Sequence, residues 1–160
     1  MASTRPLAVA LLAAASTLAL SACTPPAGGA LTPTDQDAVR AITTAESVAG
    51  GRAFELDTDD DQWQVHVAVG DREVEVRVSA DGARADSPDA TEELDADDDA
   101  ALQATTTTLA DAIRIAAARA VGGARVEEAA LEQEDGTPVW SVDIAGGTTV
   151  RVSGIDGSVR

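Results

Sequence analysis

The chain has few of the residues from which proteins build catalytic and cross-linked sites. Its 160 residues include one cysteine, one histidine, no tyrosine and no lysine. A lone cysteine excludes an intrachain disulfide, which needs two thiols. The single histidine, His66, lacks the second histidine or free cysteine that a nucleophilic triad or a typical zinc site requires. Because the sequence also has no serine nucleophile elbow, glycine-rich phosphate loop or His-Glu-x-x-His motif, we predict neither an enzyme nor a bound cofactor.

Aromatic side chains are also scarce, so the protein must build its core from aliphatic residues. Phe54, Trp63 and Trp140 are the whole aromatic complement. Each tryptophan alternates with valines at a spacing of two, which is typical of a strand with one buried face. We therefore expect Trp63 and Trp140 to be core anchors. His66 falls on the opposite side of its strand, where we expect it to be exposed to solvent.

Basic side chains are also scarce. Against 28 acidic side chains the chain has 11 basic ones, and its net charge of −17 argues against nucleic acid and anionic lipid as ligands. Divalent ions and basic proteins are compatible with this charge. The spacing of Asp57, Asp59 and Asp61 fits the first positions of a calcium loop. Because Gln62 stands where that loop needs glycine and Ala68 where it needs glutamate, we predict only weak binding of divalent cations there.

The N-terminus carries the features of an exported precursor. The apolar run Leu7–Leu20 is too short to span a bilayer as a helix and is typical of the apolar region of a signal peptide. It ends in Leu20–Cys23, with the sequence Leu-Ser-Ala-Cys, which resembles the lipobox of bacterial lipoproteins. The resemblance implies cleavage before Cys23 and attachment of lipid to its thiol. We expect a protein held by acyl chains on the extracytoplasmic face of the cell membrane.

Composition divides the rest of the chain into folded and unfolded stretches. Thr24–Pro33 contains three prolines and two glycines, which is typical of a flexible tether. Asp86–Asp99 is rich in acidic residues and has Leu94 as its one large apolar side chain, which is typical of an unstructured acidic linker. The predicted organisation is a signal peptide at 1–22, a lipidated cysteine and tether at 23–33, a first folded unit at 34–85, an acidic linker at 86–103 and a second folded unit at 104–160.

The two folded units resemble each other, with an offset of 72 to 77 residues between matching motifs. The matching motifs are Thr34–Arg40 with Thr108–Arg114, Gly50–Gly51 with Gly122–Gly123, Trp63–Val65 with Trp140–Val142, Val74–Val76 with Val150–Val152, and Asp81–Gly82 with Asp156–Gly157. A nearly constant offset of this kind is typical of a duplicated unit.

Each unit has the pattern of one helix followed by strands. Thr34 and Thr108 stand where a helix N-cap is expected, and a glycine pair follows each helical stretch. Apolar residues then recur at every second position, and Asp-Gly, Gly-Asp and Gly-Gly pairs supply the turns. We predict an α+β fold made of two repeated units, each with one helix packed on a small antiparallel sheet of three to four strands.

In this order, the motifs of both units resemble the PepSY domain, a family with a threonine-started helix, a glycine pair, an aromatic-x-Val strand, a valine-rich strand and a closing Asp-Gly. Trp63 and Trp140 stand where the family often has tyrosine. PepSY units occur in the propeptides of thermolysin-like peptidases and in secreted or membrane-tethered proteins. The resemblance therefore implies a non-catalytic, membrane-anchored extracytoplasmic binding module that modulates or inhibits a peptidase or another cell-envelope enzyme. The alternative is an acidic cation-binding or sensing lipoprotein.

Overall fold

A computed structural model describes residues 33–120 and 125–160. Within these ranges the chain forms three helices and one antiparallel sheet of seven strands, which confirms the predicted α+β class. The elements in chain order are α1 (Pro33–Ala49), β1 (Arg52–Asp59), β2 (Gln62–Val69), β3 (Arg72–Ser79), β4 (Asp89–Glu93), α2 (Ala96–Ala104), α3 (Leu109–Arg119), β5 (Val126–Glu134), β6 (Thr137–Ile144) and β7 (Thr148–Ser153).

The sheet is one continuous layer. Its strand order is β4-β3-β2-β1-β5-β6-β7, so each half of the chain contributes a run of neighbouring strands. The halves join where Glu55–Asp57 of β1 pairs with Glu128–Ala130 of β5. The prediction of a small sheet for each unit is therefore wrong. The first strand of each half would leave an edge of unpaired backbone groups, and pairing the two edges satisfies both.

The core lies between this sheet and two helices. Helices α1 and α3 contact each other, and both pack on the alternate apolar residues of the strands, and therefore on one face of the sheet. The residues that the two helices bury are Ala38, Ala41, Ile42, Ala45, Leu109, Ala112, Ile113 and Ala116. Because many of these side chains are small, the helices approach the valine-rich strands closely, and a core with few aromatics can still be densely packed.

The strand register is similar in the two halves. Trp63 of β2 pairs with Val78 of β3, and Val78 forms a bridge to Ala85 in the segment that follows. In the second half, Trp140 of β6 pairs with Val152 of β7, and Val152 forms a bridge to Val159. The first strand of each half also has a shift in register near its start.

This register corrects one of the sequence matches. If Val78 corresponds to Val152, then Val76 corresponds to Val150 and Val74 to Thr148, so the pairing of Val74–Val76 with Val150–Val152 is displaced by two residues. The reason is the length of the hairpins. The β2–β3 strands run on to a turn of two residues, whereas the β6–β7 strands stop earlier at a turn of three.

The acidic segment between the halves is structured, so the prediction of an unstructured linker is wrong. Strand β4 pairs with β3, and α2 begins after the N-cap Asp95, whose carboxylate accepts a hydrogen bond from the backbone N–H of Asp97 at 2.8 Å. Leu94, Ala101 and Leu102 are buried. Acidic residues in the first turn stabilise α2, because they lie near the positive end of its dipole. The three buried apolar side chains dock the segment on the core.

The start of α1 also differs from the prediction. The helix begins at Pro33, since proline is favoured at the first helical position, and Thr34 lies inside it rather than at the N-cap. The buried carboxylate of Asp35 accepts a hydrogen bond from Val126 N at 3.1 Å, which ties α1 to β5. The predicted N-cap Thr108 is confirmed, because its Oγ1 accepts a hydrogen bond from Asp111 N at 3.1 Å.

Candidate functional site

The face of the sheet opposite α1 and α3 carries the only histidine of the chain within a group of carboxylates. His66 of β2 lies between Glu55 of β1 and Glu75 of β3 in the strand register. Its Nδ1 is hydrogen-bonded to Oε1 of Glu73, and its ring meets the Phe54 ring edge-on at a centroid distance of 6.2 Å. We call Glu55, His66, Glu73 and Glu75 the carboxylate–histidine cluster.

A β-bulge builds this cluster. Between Ala53 and Glu55 the register shifts, so Phe54 is an extra residue in β1 and shares the partner His66 with Glu55. Phe54 and Glu73 cover the imidazole, whose side chain is 20% exposed. The expectation of a solvent-exposed His66 is therefore wrong, because the sequence pattern did not predict β1 or its bulge.

The cluster changes the acidity of one of its members. Burial raises the pKa of Glu55 above its ordinary value, and the neighbouring carboxylates of Glu128, Glu73 and Asp57 raise it further, while His66 acts in the opposite direction. A half-buried carboxyl group among other carboxylates is harder to ionise because its charge is both poorly solvated and repelled.

The cluster does not resemble a metal or nucleophilic site. Within residues 33–120 and 125–160, no three histidine, cysteine or acidic side chains converge on a point where a metal ion would be held. Glu75 is engaged in an ion pair, with its Oε1 3.0 Å from the NH2 of Arg77. What the arrangement offers is a polar, negatively charged surface.

The predicted calcium segment has a different structure from a calcium loop. Asp57 and Asp59 belong to β1, and Asp60 and Asp61 form the tight turn to β2 with φ of +45° and +62°. Oδ1 of Asp57 accepts a hydrogen bond from the backbone N–H of the next residue at 2.6 Å. Asp57 and Asp59 lie on the same face of β1, but among the described residues no three of these carboxylates come together where a metal ion could be held.

Two shallow cavities lie beside this turn, with volumes of about 200 and 270 Å³. Both touch Gln62 and Trp63. The first is lined on its other side by Arg125 and the second by Arg77. Neither cavity includes a residue of the carboxylate–histidine cluster.

Both tryptophans are buried, Trp63 at 4% exposure and Trp140 at 0%. Each indole also makes one hydrogen bond, from Trp63 Nε1 to the carbonyl of Ala80 and from Trp140 Nε1 to the carbonyl of Thr107, both at 3.0 Å. The indoles therefore fasten the connecting segments to the sheet, and they are unavailable as a binding surface.

Each half ends in a turn stabilised by an aspartate. A hydrogen bond from the Ser79 hydroxyl at 2.5 Å lowers the pKa of Asp81, with a further contribution from the backbone N–H of Ala83. In the second half, the backbone N–H of Ser158 at 3.1 Å and the Ser153 hydroxyl lower the pKa of Asp156 to about 2. These carboxylates are structural, since their oxygens are occupied by turn hydrogen bonds.

The predicted lipidation site, Cys23, lies outside the residues that the structure describes, as do the signal peptide and most of the tether. In the part of the chain that the structure does describe, no helix is long and apolar enough to cross a bilayer.

Residues 107–160 match the family model described as the peptidase propeptide and YPEB domain, PepSY. A PepSY domain is therefore found at residues 107–160. The PepSY domain contains α3, β5, β6, β7 and the closing turn up to Val159, and the match relates it to peptidase propeptides. The second PepSY-like domain expected at 34–85 stays a prediction.

The chain is also similar to the crystal structure of a "putative lipoprotein" from Clostridium difficile 630. The two share 18% sequence identity, with 75% of this chain and 87% of that chain covered and a TM-score of 0.44. No curated protein matches the chain.

Proposed function

We propose that this protein is a non-catalytic, membrane-anchored extracytoplasmic binding module that restrains a peptidase or another enzyme of the cell envelope. The observation that carries the proposal is the PepSY domain at residues 107–160, because the family is described by its occurrence in peptidase propeptides. A propeptide-like module acts by binding an enzyme, and it needs a rigid surface rather than catalytic groups.

The first half of the chain supports the same proposal. It repeats the helix and strand order of the PepSY domain, and the β1–β5 pairing makes one sheet of both halves. On its face away from α1 and α3, this broad sheet presents polar side chains, among them Glu75, Arg77 and Glu132. A binder that works through such a face needs no pocket, in agreement with the shallow cavities beside Trp63.

The experiment for this function uses residues 24–160 as bait on solubilised envelope membranes of the source organism. We expect the bait to retain a peptidase or another envelope enzyme in a stoichiometric complex, and to lower its activity when added to the purified enzyme. The double variant Trp63→Ala/Trp140→Ala is a suitable control, because it keeps the net charge of the chain but loses both buried indoles, at a combined cost of about 6–10 kcal/mol that is comparable to the whole stability of a small protein. Retention of the same proteins by both baits, or an enzyme activity that the bait leaves unchanged, would contradict the proposal.

The membrane anchor has its own test. Leu20–Cys23 resembles a lipobox, so Cys23→Ser should abolish lipid labelling and release the protein from the membrane fraction or leave it uncleaved. Ser21→Ala keeps a small residue beside the cleavage point and should be lipidated normally. Membrane partitioning and processing of Cys23→Ser like the parent would show that the anchor is elsewhere.

A further inference from the structure

The outer edges of β3 and β7 are covered to different extents. In both halves, the segment that follows the strand folds back and pairs with the C-terminal part of that strand. Asp86 N donates to the carbonyl of Arg77 at 2.9 Å, and Arg160 N donates to the carbonyl of Arg151 at 3.0 Å. The C-terminal portions of β3 and β7 are therefore covered alike.

The N-terminal portions of these two strands differ. In the first half, β4 covers β3 from Arg72 to Glu75. In the second half, no strand within 33–120 or 125–160 pairs with β7 over Thr148–Val150 on the side away from β6. The strand register places Thr149 at the position that Glu75 has in β3. The first half thus shows how a segment of chain occupies this edge, and among the residues that the structure describes the same edge of the second half is open.

The direction of the free backbone groups follows from the hydrogen bonds of β7. The carbonyl of Arg151 accepts a hydrogen bond from Arg160 N, and the N–H of Ser153 donates to the carbonyl of Ser158. Both groups therefore point away from β6. In an antiparallel pair this orientation alternates along the strand, so the N–H and carbonyl of Thr149 also point outward. The side chain of Thr149 is exposed. Outward backbone groups on an exposed edge form a template for an added strand.

The geometry points to β7 as the site where an extended, basic segment of a partner protein adds to the sheet in antiparallel register, as β4 adds to β3. This inference rests on the proposed function in one respect, which is that the segment belongs to the restrained enzyme. In strand addition, main-chain hydrogen bonds provide affinity and the alternating side chains provide specificity.

Charge indicates the side chains that the segment should carry. Level with Thr149 in the strand register, the sheet carries Asp143 on β6 and Glu128 on β5, while Arg151 further along β7 is held in ion pairs by Glu132 and Glu134. Asp143 and Glu128 give this part of the face a negative charge that a basic side chain would neutralise. On the other face, Val150 is 9% exposed and would contact an apolar side chain. A segment that alternates basic and β-branched residues meets both requirements.

The test uses a synthetic peptide of alternating arginine and valine as the probe, with an alternating glutamate and valine peptide for comparison. The protein is residues 24–160, which contain every helix and strand described above. Thr149→Pro removes the outward N–H without removing a bond to β6, and proline is tolerated at such edge positions. Thr149→Ala is the matched control, because it keeps the N–H and, like Thr149→Pro, loses the hydroxyl that donates to Oδ1 of Asp143 at 2.5 Å.

We expect the basic peptide to slow hydrogen exchange of the Thr149 amide in the parent. Thr149→Pro should weaken its binding by about tenfold or more, since a main-chain hydrogen bond is lost and the ring obstructs the edge. Thr149→Ala should bind like the parent, and the acidic peptide should bind at least about tenfold more weakly than the basic one. If circular dichroism shows that Thr149→Pro does not fold, Thr149→Lys replaces it, because a lysine on the edge repels a basic strand.

Equal binding of the basic peptide by the parent and by the folded edge variant would overturn the inference, as would protection confined to β4. Equal binding of the two peptides would overturn its charge component. The proposed function fails separately. An enzyme that Thr149→Pro restrains as well as the parent does would refute the β7 site and leave the function standing. Peptide binding at β7 without any envelope enzyme partner would support the β7 site and refute the proposed function.

Discussion

Two tryptophans supply the largest side chains of a core that, apart from Phe54, is otherwise aliphatic. Trp140 is fully buried and donates a hydrogen bond to Thr107. Trp140→Ala should lower the free energy of unfolding by about 3–5 kcal/mol, as is usual when a buried aromatic residue is truncated. Denaturant titration measures this loss. Val48, which is 48% exposed, provides the control, since Val48→Ala should cost less than about 0.5 kcal/mol. Similar losses in the two variants would mean that Trp140 is not part of the core.

Glu55 is the residue from which we predict a dependence on pH. Its pKa is raised in the folded protein by burial and by neighbouring carboxylates, so its ionised form is less stable there than in the unfolded chain. Ionised Glu55 therefore destabilises the fold above its folded pKa, and this cost disappears as the pH falls toward the ordinary value of 4.5. Glu55→Gln should raise the melting temperature at neutral pH and change it little in acid.

Glu92→Gln is the control for this prediction, because it removes one negative charge from an exposed position of β4. It separates the local effect at Glu55 from the general relief of repulsion in a chain of net charge −17. Thermal melts across the acid and neutral range should show a larger stabilisation by Glu55→Gln, confined to the neutral side. Equal effects of both substitutions at every pH would contradict the prediction.

At the scale of elements, the loop that contains Gly82 and follows β3 packs directly on α1. Gly82 has φ of +68°, and a Cβ built there would lie 2.4 Å from the carbonyl oxygen of Asp37. Gly50 has a similar φ of +78° but open space around it. Gly50→Ala should therefore cost only the left-handed backbone strain, about 1 kcal/mol. Gly82→Ala should cost about 2–4 kcal/mol, because it also forces the loop away from the helix.

Denaturant unfolding of the two glycine variants tests whether loop and helix are in contact. A Gly82→Ala variant no less stable than Gly50→Ala would show that the loop can move away from α1 without loss. The same comparison bears on the edge of the sheet, since this loop leads to the Ala85 bridge on β3.

The sequence predicted the elements whose signals are local. The N-cap Thr108, the glycine that ends α1 at Gly50, and the turn at Gly70–Asp71 are all found in the structure. Each depends on the conformational preference of a few neighbouring residues. Strand β1 was missed because its bulge at Phe54 interrupts the period of two, and β4 was missed because its acidic composition is typical of unfolded chain.

The carboxylate–histidine cluster could not be predicted for a different reason. His66 and Glu73 lie close only because β2 and β3 pair in one particular register, and Phe54 reaches them only through the bulge. Register and bulge depend on long-range pairing, which short sequence patterns do not specify. The same holds for the open edge of β7, which became apparent only from its comparison with β3.

At the scale of the molecule, the main consequence of the fold is that two similar halves share one sheet. Pairing of β1 with β5, contact between α1 and α3, and the bond from Val126 N to Asp35 connect them. A half of this size alone would bury a modest fraction of its surface and would be marginally stable. Sharing a sheet and a core makes the stability of each half depend on the other.

The last prediction follows from this sharing. The parent should unfold in a single cooperative transition, and Trp63→Ala and Trp140→Ala should each lower the stability of both halves. Native-state hydrogen exchange can follow the two halves separately, through slowly exchanging amides of β2 and of β6. In Trp140→Ala, we expect the exchange of Val65 in β2 to accelerate together with that of Val142 in β6, because global unfolding exposes both. If Val65 kept its protection while Val142 lost it, the two halves would be domains that unfold independently. The β1–β5 pairing would then contribute little to stability.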